Sequence, residues 1–252
     1  MRDRILGFGV RRDRVHTIPN WALSELDEGA SGDAMRLRYG FGDRFVVMYS
    51  GNMGVGHAFD GLLAAAERLA DRDDVVFAFV GDGVRQPEIV RAIAARALPN
   101  VRVFGYAARE DLADSLAAAD LHVVTMREGM QGLLMPSKLY GVLAAARPAL
   151  FIGPADSAVA DLVTAAGCGV SVRDSDVDGI VAAIAAAALE SDRGRSRGAA
   201  GRRYLDQNLG RDQLIARYDD LLTRVSRAAT PTGSAPGATR PPGAQGEAWA
   251  TP

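Results

Sequence analysis

The sequence predicts a doubly wound α/β domain, a parallel sheet with helices on both faces, and three observations carry that prediction. Short apolar, β-branched runs such as "VVFAFV" (75–80) recur along the chain. They are apolar at successive rather than alternate positions, as in strands covered on both faces. Between them lie stretches with helical spacing, such as "AFDGLLAAAERLADR" (58–72), and the order is strictly strand, helix, strand.

Each element follows from its own signals. "RFVVMYSG" (44–51) is a strand ended by Gly51, and 58–72 is the helix after it. "VVFAFVGDG" (75–83) is the second strand, "QPEIVRAIAARAL" (86–98) the next helix and "VRVFGY" (101–106) the third strand. "REDLADSLAAA" (109–119) opens with acidic residues, which suit a helix N-terminus. "LHVVT" (121–125) is the fourth strand. "PSKLYGVLAAAR" (136–147) reads as a helix, with Pro136 in the first turn and Ser137 able to cap free N–H groups. The strand "PALFIG" (148–153), helix 157–167, strand "GVSVR" (169–173) and helix 176–191 complete the alternation. Two helices, roughly 194–208 and 211–227, close the folded part. Upstream, "RVHTIPNW" (14–21) reads as a short strand and turn, and "DAMRLRYG" (33–40) as a short helix ended by Gly40. The chain thus divides into a linker-like segment 1–43, a domain 44–227 and a tail 228–252. The tail is rich in Ala, Pro, Gly and Thr and is expected to be disordered.

Bulk composition narrows the function. The 252 residues are 48% hydrophobic and 24% charged, enough for a substantial core. A net charge of −2 gives no global attraction to nucleic acid or to a membrane surface. The single cysteine, Cys168, excludes an internal disulfide framework and reads as a small buried residue in a reducing compartment. His16, His57 and His122 do not stand at metal-ligand spacing. With no signal-peptide pattern and no apolar run of membrane-spanning length, a cytoplasmic location is expected.

Ligands of doubly wound sheets bind at the carboxyl ends of the strands, so the loops there carry the function. "YSGNMGVGHAFD" (49–60) places three glycines between a strand and a helix, a shape that lets backbone approach a phosphate. Its spacing is not the dinucleotide fingerprint. "TMREGMQGLLMPSK" (125–138) brings Arg127, Glu128 and Lys138 to the same edge. Lys138 is the only lysine; the other 28 basic residues are arginines. A lysine in a helix's first turn is mildly unfavourable, by roughly 0.3–1 kcal/mol. It reads either as a solvated surface residue or as part of an anion site.

In order along the chain, "VHTIPNW", "YSGNMGVGH", "FVGDG", "NVRVFGY", "AAADLHVV", "REGMQGLLMPSKLYGVLAAARPAL" and "GCGVSVRDSDVDGIVAAI" resemble the carboxyl-terminal, donor-binding domain of GT-B glycosyltransferases of the large retaining family 4. The resemblance covers roughly residues 14–190, and the "PSK-x-Y" helix matches a subgroup linked to polysaccharide or lipid-linked sugar assembly. It implies a nucleotide-diphosphate sugar as donor substrate, with no cofactor and no metal. Gly51, Asn52 and Gly54 match the positions that wrap the diphosphate, and Phe104, Gly105 and Tyr106 those that hold the base. Glu128 matches the first acid of the family's E-x7-E motif. Gly132, Leu133 and Leu134 would offer backbone amides, and Lys138 would face the diphosphate. Glu128 and Lys138 are the residues with catalytic roles in this reading.

The sequence also departs from the family. Gly141 stands where the second acid of E-x7-E would be, and Asn52 and His57 replace the usual basic residues of the first loop. His57 reads either as a diphosphate contact or as a solvated first-turn residue. Only some 40 residues precede the first clear strand, so an acceptor-binding domain is expected on a separate chain or on a longer protein. Membrane association, if any, would come through that half. Ile5, Leu6, Phe8 and Trp21 are then expected to be exposed. The alternatives are a stand-alone nucleotide-sugar-binding module or inactive remnant, and a non-sugar enzyme of related architecture such as an epimerase. The last lacks a candidate acid–base pair beyond Glu128 and His57.

Overall fold

The computed structural model describes residues 1–21, 30–189 and 191–229. Six strands, β1 (Phe45–Ser50), β2 (Val75–Val80), β3 (Val101–Phe104), β4 (Leu121–Thr125), β5 (Ala149–Ile152) and β6 (Gly169–Val172), form one sheet in the order β3-β2-β1-β4-β5-β6. Every pair is parallel. The chain winds outward from β1 to β3, then returns to lay β4 on the other side of β1. The β1–β4 seam is therefore the topological switch point, where crevices form in such sheets.

The six strands predicted from residue 44 onward all form, because their side chains supply buried faces. On one face Val47, Tyr49, Phe77, Phe79, Val123 and Ile152 pack with Phe59, Leu62, Ile180 and Ile184. These last come from α3 (Asp60–Arg68) and α8 (Val177–Leu189) and the turn before α3. Residues one step away in register, Val46, Met48, Val76 and Ala78, point to the opposite face. There α5 (Leu112–Ala117), α6 (Lys138–Ala144) and α7 (Ala158–Ala166) cover the sheet, with Leu205, Leu209 and Leu214 from the closing helices α9 (Ser191–Asn208) and α10 (Arg211–Ala229). The helix α4 (Gln86–Ala95) joins β2 to β3.

Several expectations are corrected. Residues 14–21 form no strand: Arg12–Arg14 is a single 3-10 turn, the Thr17 carbonyl accepts from Arg217 at 3.2 Å, and Ile18 packs on the α6–α7 core. The folded unit also begins upstream of residue 44. Helix α2 (Asp33–Tyr39), after an N-terminal α1 (Arg2–Gly7), buries Met35, while Phe41 is 1% exposed. Arg36 anchors α2: its guanidinium donates to Asp120 Oδ2 at 3.0 Å and to the Ala118 carbonyl, and the same carboxylate accepts the Val46 N–H at 2.8 Å. Helix α5 starts at Leu112, so the acidic residues Glu110 and Asp111 precede it. Cys168 is buried as expected, and burial pushes its thiol up to about 11. Ile5, Phe8 and Trp21 are exposed, whereas Leu6 is half-buried. Ala228 and Ala229 continue α10, and the rest of the tail expected to be disordered lies outside the described residues.

Candidate functional site

The β1 loop leaves the sheet at Gly51, whose φ of +125° is open to glycine and strained for other residues. It is pressed against the β2 loop: a Cβ on Gly81 would lie 2.3 Å from the Gly51 carbonyl oxygen. The Met53 N–H donates to the Asp82 carbonyl at 2.7 Å. The two loops are locked together, and the β1 loop walls one side of a cavity of about 710 Å3 at the carboxyl edge. Its size suits a small organic ligand.

Among the described residues Lys138 is the one cationic side chain lining this cavity. It opens α6, reaches across the switch point to β1, and donates to the Tyr49 hydroxyl. Its Nζ also lies 3.6 Å from the centroid of the Tyr49 ring. The Tyr49 hydroxyl in turn donates to the Asn52 carbonyl at 2.7 Å, so one chain of bonds runs from the lysine to the glycine loop. Burial penalises the ammonium and brings the Lys138 pKa down to about 7. Burial likewise pushes the Tyr49 phenol up, so it stays a neutral donor. Among the described residues nothing acidic lines the cavity to neutralise the lysine.

His57 is 7% exposed and sits at the same seam, before α3 begins. It is neither a solvated residue nor a cation. Its Nδ1 lies 2.8 Å from the Thr125 carbonyl oxygen, and burial first, then Lys138 and Arg85, lower its pKa to about 4. Arg85 donates to the His57 carbonyl at 2.6 Å and fixes this turn from the β2 side.

Ser50, Gly51, Asn52, His57, Tyr106, Leu134, Ser137, Lys138, Tyr140 and Gly141 meet around this cavity, closed at one end by Val80, Ala107, Leu112 and Leu116. Gly54 lies beside Asn52 and His57, and Gly105 precedes the exposed Tyr106. Other predicted residues diverge. Phe104 turns to the helix-α2 face and stacks on Tyr39, 4.3 Å between centroids, and on Phe41. The N–H groups of Leu133 and Leu134 both donate to the Met130 carbonyl at 3.0 Å, so they are occupied within their own turn. Gly132 lies against Met1 and Arg4 of the N-terminal segment. Ser137 makes no capping bond, and the helix starts at Lys138 rather than at Pro136.

Glu128 is exposed and does not line the lysine's cavity. It borders a second cavity of about 740 Å3 with Arg85, Arg127, Arg173 and Asp174, toward β5 and β6. Its Oε1 accepts from Gln131 at 2.9 Å. The two cavities share the seam, since the Arg127 N–H donates to the Gly56 carbonyl at 2.9 Å. Tyr49, Thr125 and Tyr140 were not singled out from the sequence. The first two lie in continuous apolar strands, where period-2 alternation gives no signal; Tyr140 was legible only within "PSK-x-Y". Among the described residues no group of three or more His, Cys, Asp or Glu could hold a metal ion, and no helix is long and apolar enough to cross a membrane.

The chain is similar to known proteins in sequence and in fold. The chain is 27% identical over 223 residues to WcaI of Escherichia coli strain K12, named for colanic acid biosynthesis glycosyl transfer; the match spans 86% of this chain and 54% of WcaI. It is 28% identical over 128 residues to the alpha-D-kanosaminyltransferase of Streptomyces kanamyceticus, covering 49% of this chain and 33% of that one. The chain thus spans about half the length, or less, of these curated relatives. Among solved structures, Anabaena HepE in complex with UDP-glucose superposes with a TM-score of 0.76 at 15% identity, over 88% of this chain and 61% of that one. WaaG, a glycosyltransferase involved in lipopolysaccharide biosynthesis, superposes with a TM-score of 0.64 at 18% identity, over 78% of this chain and 53% of that one. These likenesses show the fold, a parallel, Rossmann-like α/β unit shared with part of each of those chains. Residues 44–189, more than half the chain, match the family model described as Glycosyl transferases group 1, and the chain belongs to that family.

Proposed function

We propose that this chain is the donor-binding half of a retaining, family 4 glycosyltransferase of the "PSK-x-Y" subgroup, acting in polysaccharide or glycolipid assembly. The observation that carries the reading is the half-buried Lys138, the one charged side chain among the described residues that line a cavity at the switch point of a group 1 domain. The name of WcaI supports sugar transfer in polysaccharide assembly, and that of HepE with UDP-glucose supports a nucleotide-diphosphate sugar as the donor.

In this reading Lys138 meets the diphosphate. As the glycosidic phosphate leaves, its charge grows, and a cation already held in place by Tyr49 stabilises that charge without reorganising. Lys138 supplies the positive charge a metal would otherwise bring, and neither metal nor cofactor is needed for binding. Tyr106 receives the base and Asn52 the phosphate oxygens. Glu128, on the far side of the seam, meets the transferred sugar. The acceptor is held by a domain outside these residues, and the chain works on the cytoplasmic side. Purified chain should therefore show little or no transfer to a simple acceptor, and turnover there would overturn the division of labour.

The test is calorimetric titration with UDP and GDP, repeated with Lys138→Ala. Lys138→Ala should weaken binding by about 1–3 kcal/mol, the range for a charged hydrogen bond. An unchanged affinity removes the lysine from the site. EDTA should leave UDP binding unaltered, and a loss of affinity would replace the metal-free reading with a metal-assisted one.

A further inference from the structure

The two ring nitrogens of His57 are not equivalent. Nδ1 lies 2.8 Å from the Thr125 carbonyl oxygen and 3.2 Å from Thr125 Oγ1. A carbonyl oxygen only accepts, so Nδ1 carries the hydrogen. Two neighbouring cations, Lys138 and Arg85, oppose a second proton. Nε2 therefore bears a lone pair. Among the described residues no group donates to it, and His57 lines the cavity that contains Lys138. The edge-on Tyr49 ring, 5.8 Å away between centroids, packs beside the imidazole and limits its rotation.

A lone pair repels phosphate oxygens and attracts hydroxyls, which suits one part of a nucleotide sugar better than the others. Across the sheet edge, Tyr106 and Ala107 follow β3 and Val80 ends β2. Lys138 stands over β1 through Tyr49 and Gly51, and His57 is tied to the end of β4. A base–ribose–diphosphate–sugar chain laid along that line, its diphosphate at the lysine, brings the sugar to the β4 side. Gly56, next to His57, bonds to Arg127, the neighbour of Glu128, so this side leads into the second cavity.

We propose that His57 Nε2 accepts a hydrogen bond from a hydroxyl of the donor's sugar and helps to select that sugar; the proposal rests on the donor-site reading above. His57 is then a specificity residue, and the diphosphate contact considered for it from the sequence falls to Lys138 and Asn52.

The experiment compares UDP with UDP-glucose, UDP-galactose, UDP-N-acetylglucosamine, GDP and GDP-mannose in wild-type chain, His57→Phe and His57→Gln. For the tightest-binding nucleotide sugar, His57→Phe should lose about five- to tenfold in affinity, the size of one hydrogen bond. It should bind the bare diphosphate within about twofold of wild type, which also shows that it folds. His57→Gln, whose amide oxygen can accept, should recover part of the loss. Equal losses for diphosphate and sugar, no loss for either, or no wild-type preference for any nucleotide sugar would overturn the proposal. Nitrogen-15 imidazole spectra of the wild-type chain supply a second readout. They should show the Nδ1–H tautomer for His57 at neutral pH and a shift of Nε2 with nucleotide sugar but not with diphosphate. His122, whose Nε2 lies 2.8 Å from the Leu116 carbonyl, is the internal reference for the other tautomer. An Nε2–H tautomer or an imidazolium at His57 would sink the idea irrespective of binding. Absence of wild-type binding to both UDP and GDP would refute the donor-site reading itself and this proposal with it.

Discussion

Lys138 combines two opposed properties. Burial makes its charge costly in the free chain, and the same burial makes the charge valuable to an anion that enters. The stability consequence has a definite sign. Its folded pKa, about 7, lies below the ordinary lysine value of 10.5, so between those values the unfolded chain binds more protons and stability rises with pH. Replacing the lysine by an uncharged side chain removes the penalty: Lys138→Met should raise the thermal midpoint by roughly 2–4 °C while weakening diphosphate binding by about 1–3 kcal/mol. A lowered midpoint would show that the Tyr49 contact outweighs desolvation. The binding consequence also has a sign. A bound diphosphate favours the ammonium, so binding draws in a proton wherever the free lysine is neutral. UDP affinity should be flat just below pH 7 and fall between pH 7 and pH 9. Calorimetry in buffers of different ionisation enthalpy should report proton uptake there, and a pH-independent affinity would contradict a lysine titrating near 7.

At the scale of elements, helix caps separate the legible from the hidden. Ser137 and Ser157 look alike in sequence, each before an apolar helix. Ser157 Oγ accepts the Ala160 N–H at 3.2 Å, whereas Ser137 has helical dihedrals and makes no cap bond. Ser157→Ala should cost about 1 kcal/mol in denaturant unfolding, and Ser137→Ala close to nothing. Equal effects would mean that Ser137 caps in solution. The six strands were legible because each is a short apolar run bounded by glycine or charge. Their loops were legible as a ligand edge because of glycine density. The facing of individual side chains was not: Tyr49 lies in β1, where 46–49 are all buried, so no alternation marks its face, and Phe104 ends β3, whose four residues are too few to carry one. Nor could local pattern show His57 against Thr125, since that contact exists only once β4 returns beside β1. Tyr49 holds both Lys138 and the Asn52 loop, so Tyr49→Phe should weaken UDP binding by about 0.5–1.5 kcal/mol without changing the fold. Wild-type affinity in that variant would show that the lysine needs no anchor.

At the scale of the molecule, the two sides of the seam belong to one sheet. A ligand bridging β1 and β4 therefore stabilises the whole unit. With UDP at a hundred times its dissociation constant, the gain is about 2.7 kcal/mol, or roughly 5–10 °C in the melting midpoint. A single transition that moves as one is expected; movement of only part of the unfolding curve would mean that the two halves of the sheet melt separately. The chain's reliance on arginine has a further consequence. With one lysine among 29 basic residues, these 252 residues hold a single side-chain primary amine, that of Lys138. A lysine titrating near 7 is largely an unprotonated nucleophile at pH 8. Acylating and aldehyde reagents, which modify most proteins at many scattered positions, should mark this one at its ligand cavity, and occupancy of the cavity would be read as protection of a single peptide in a mass spectrum.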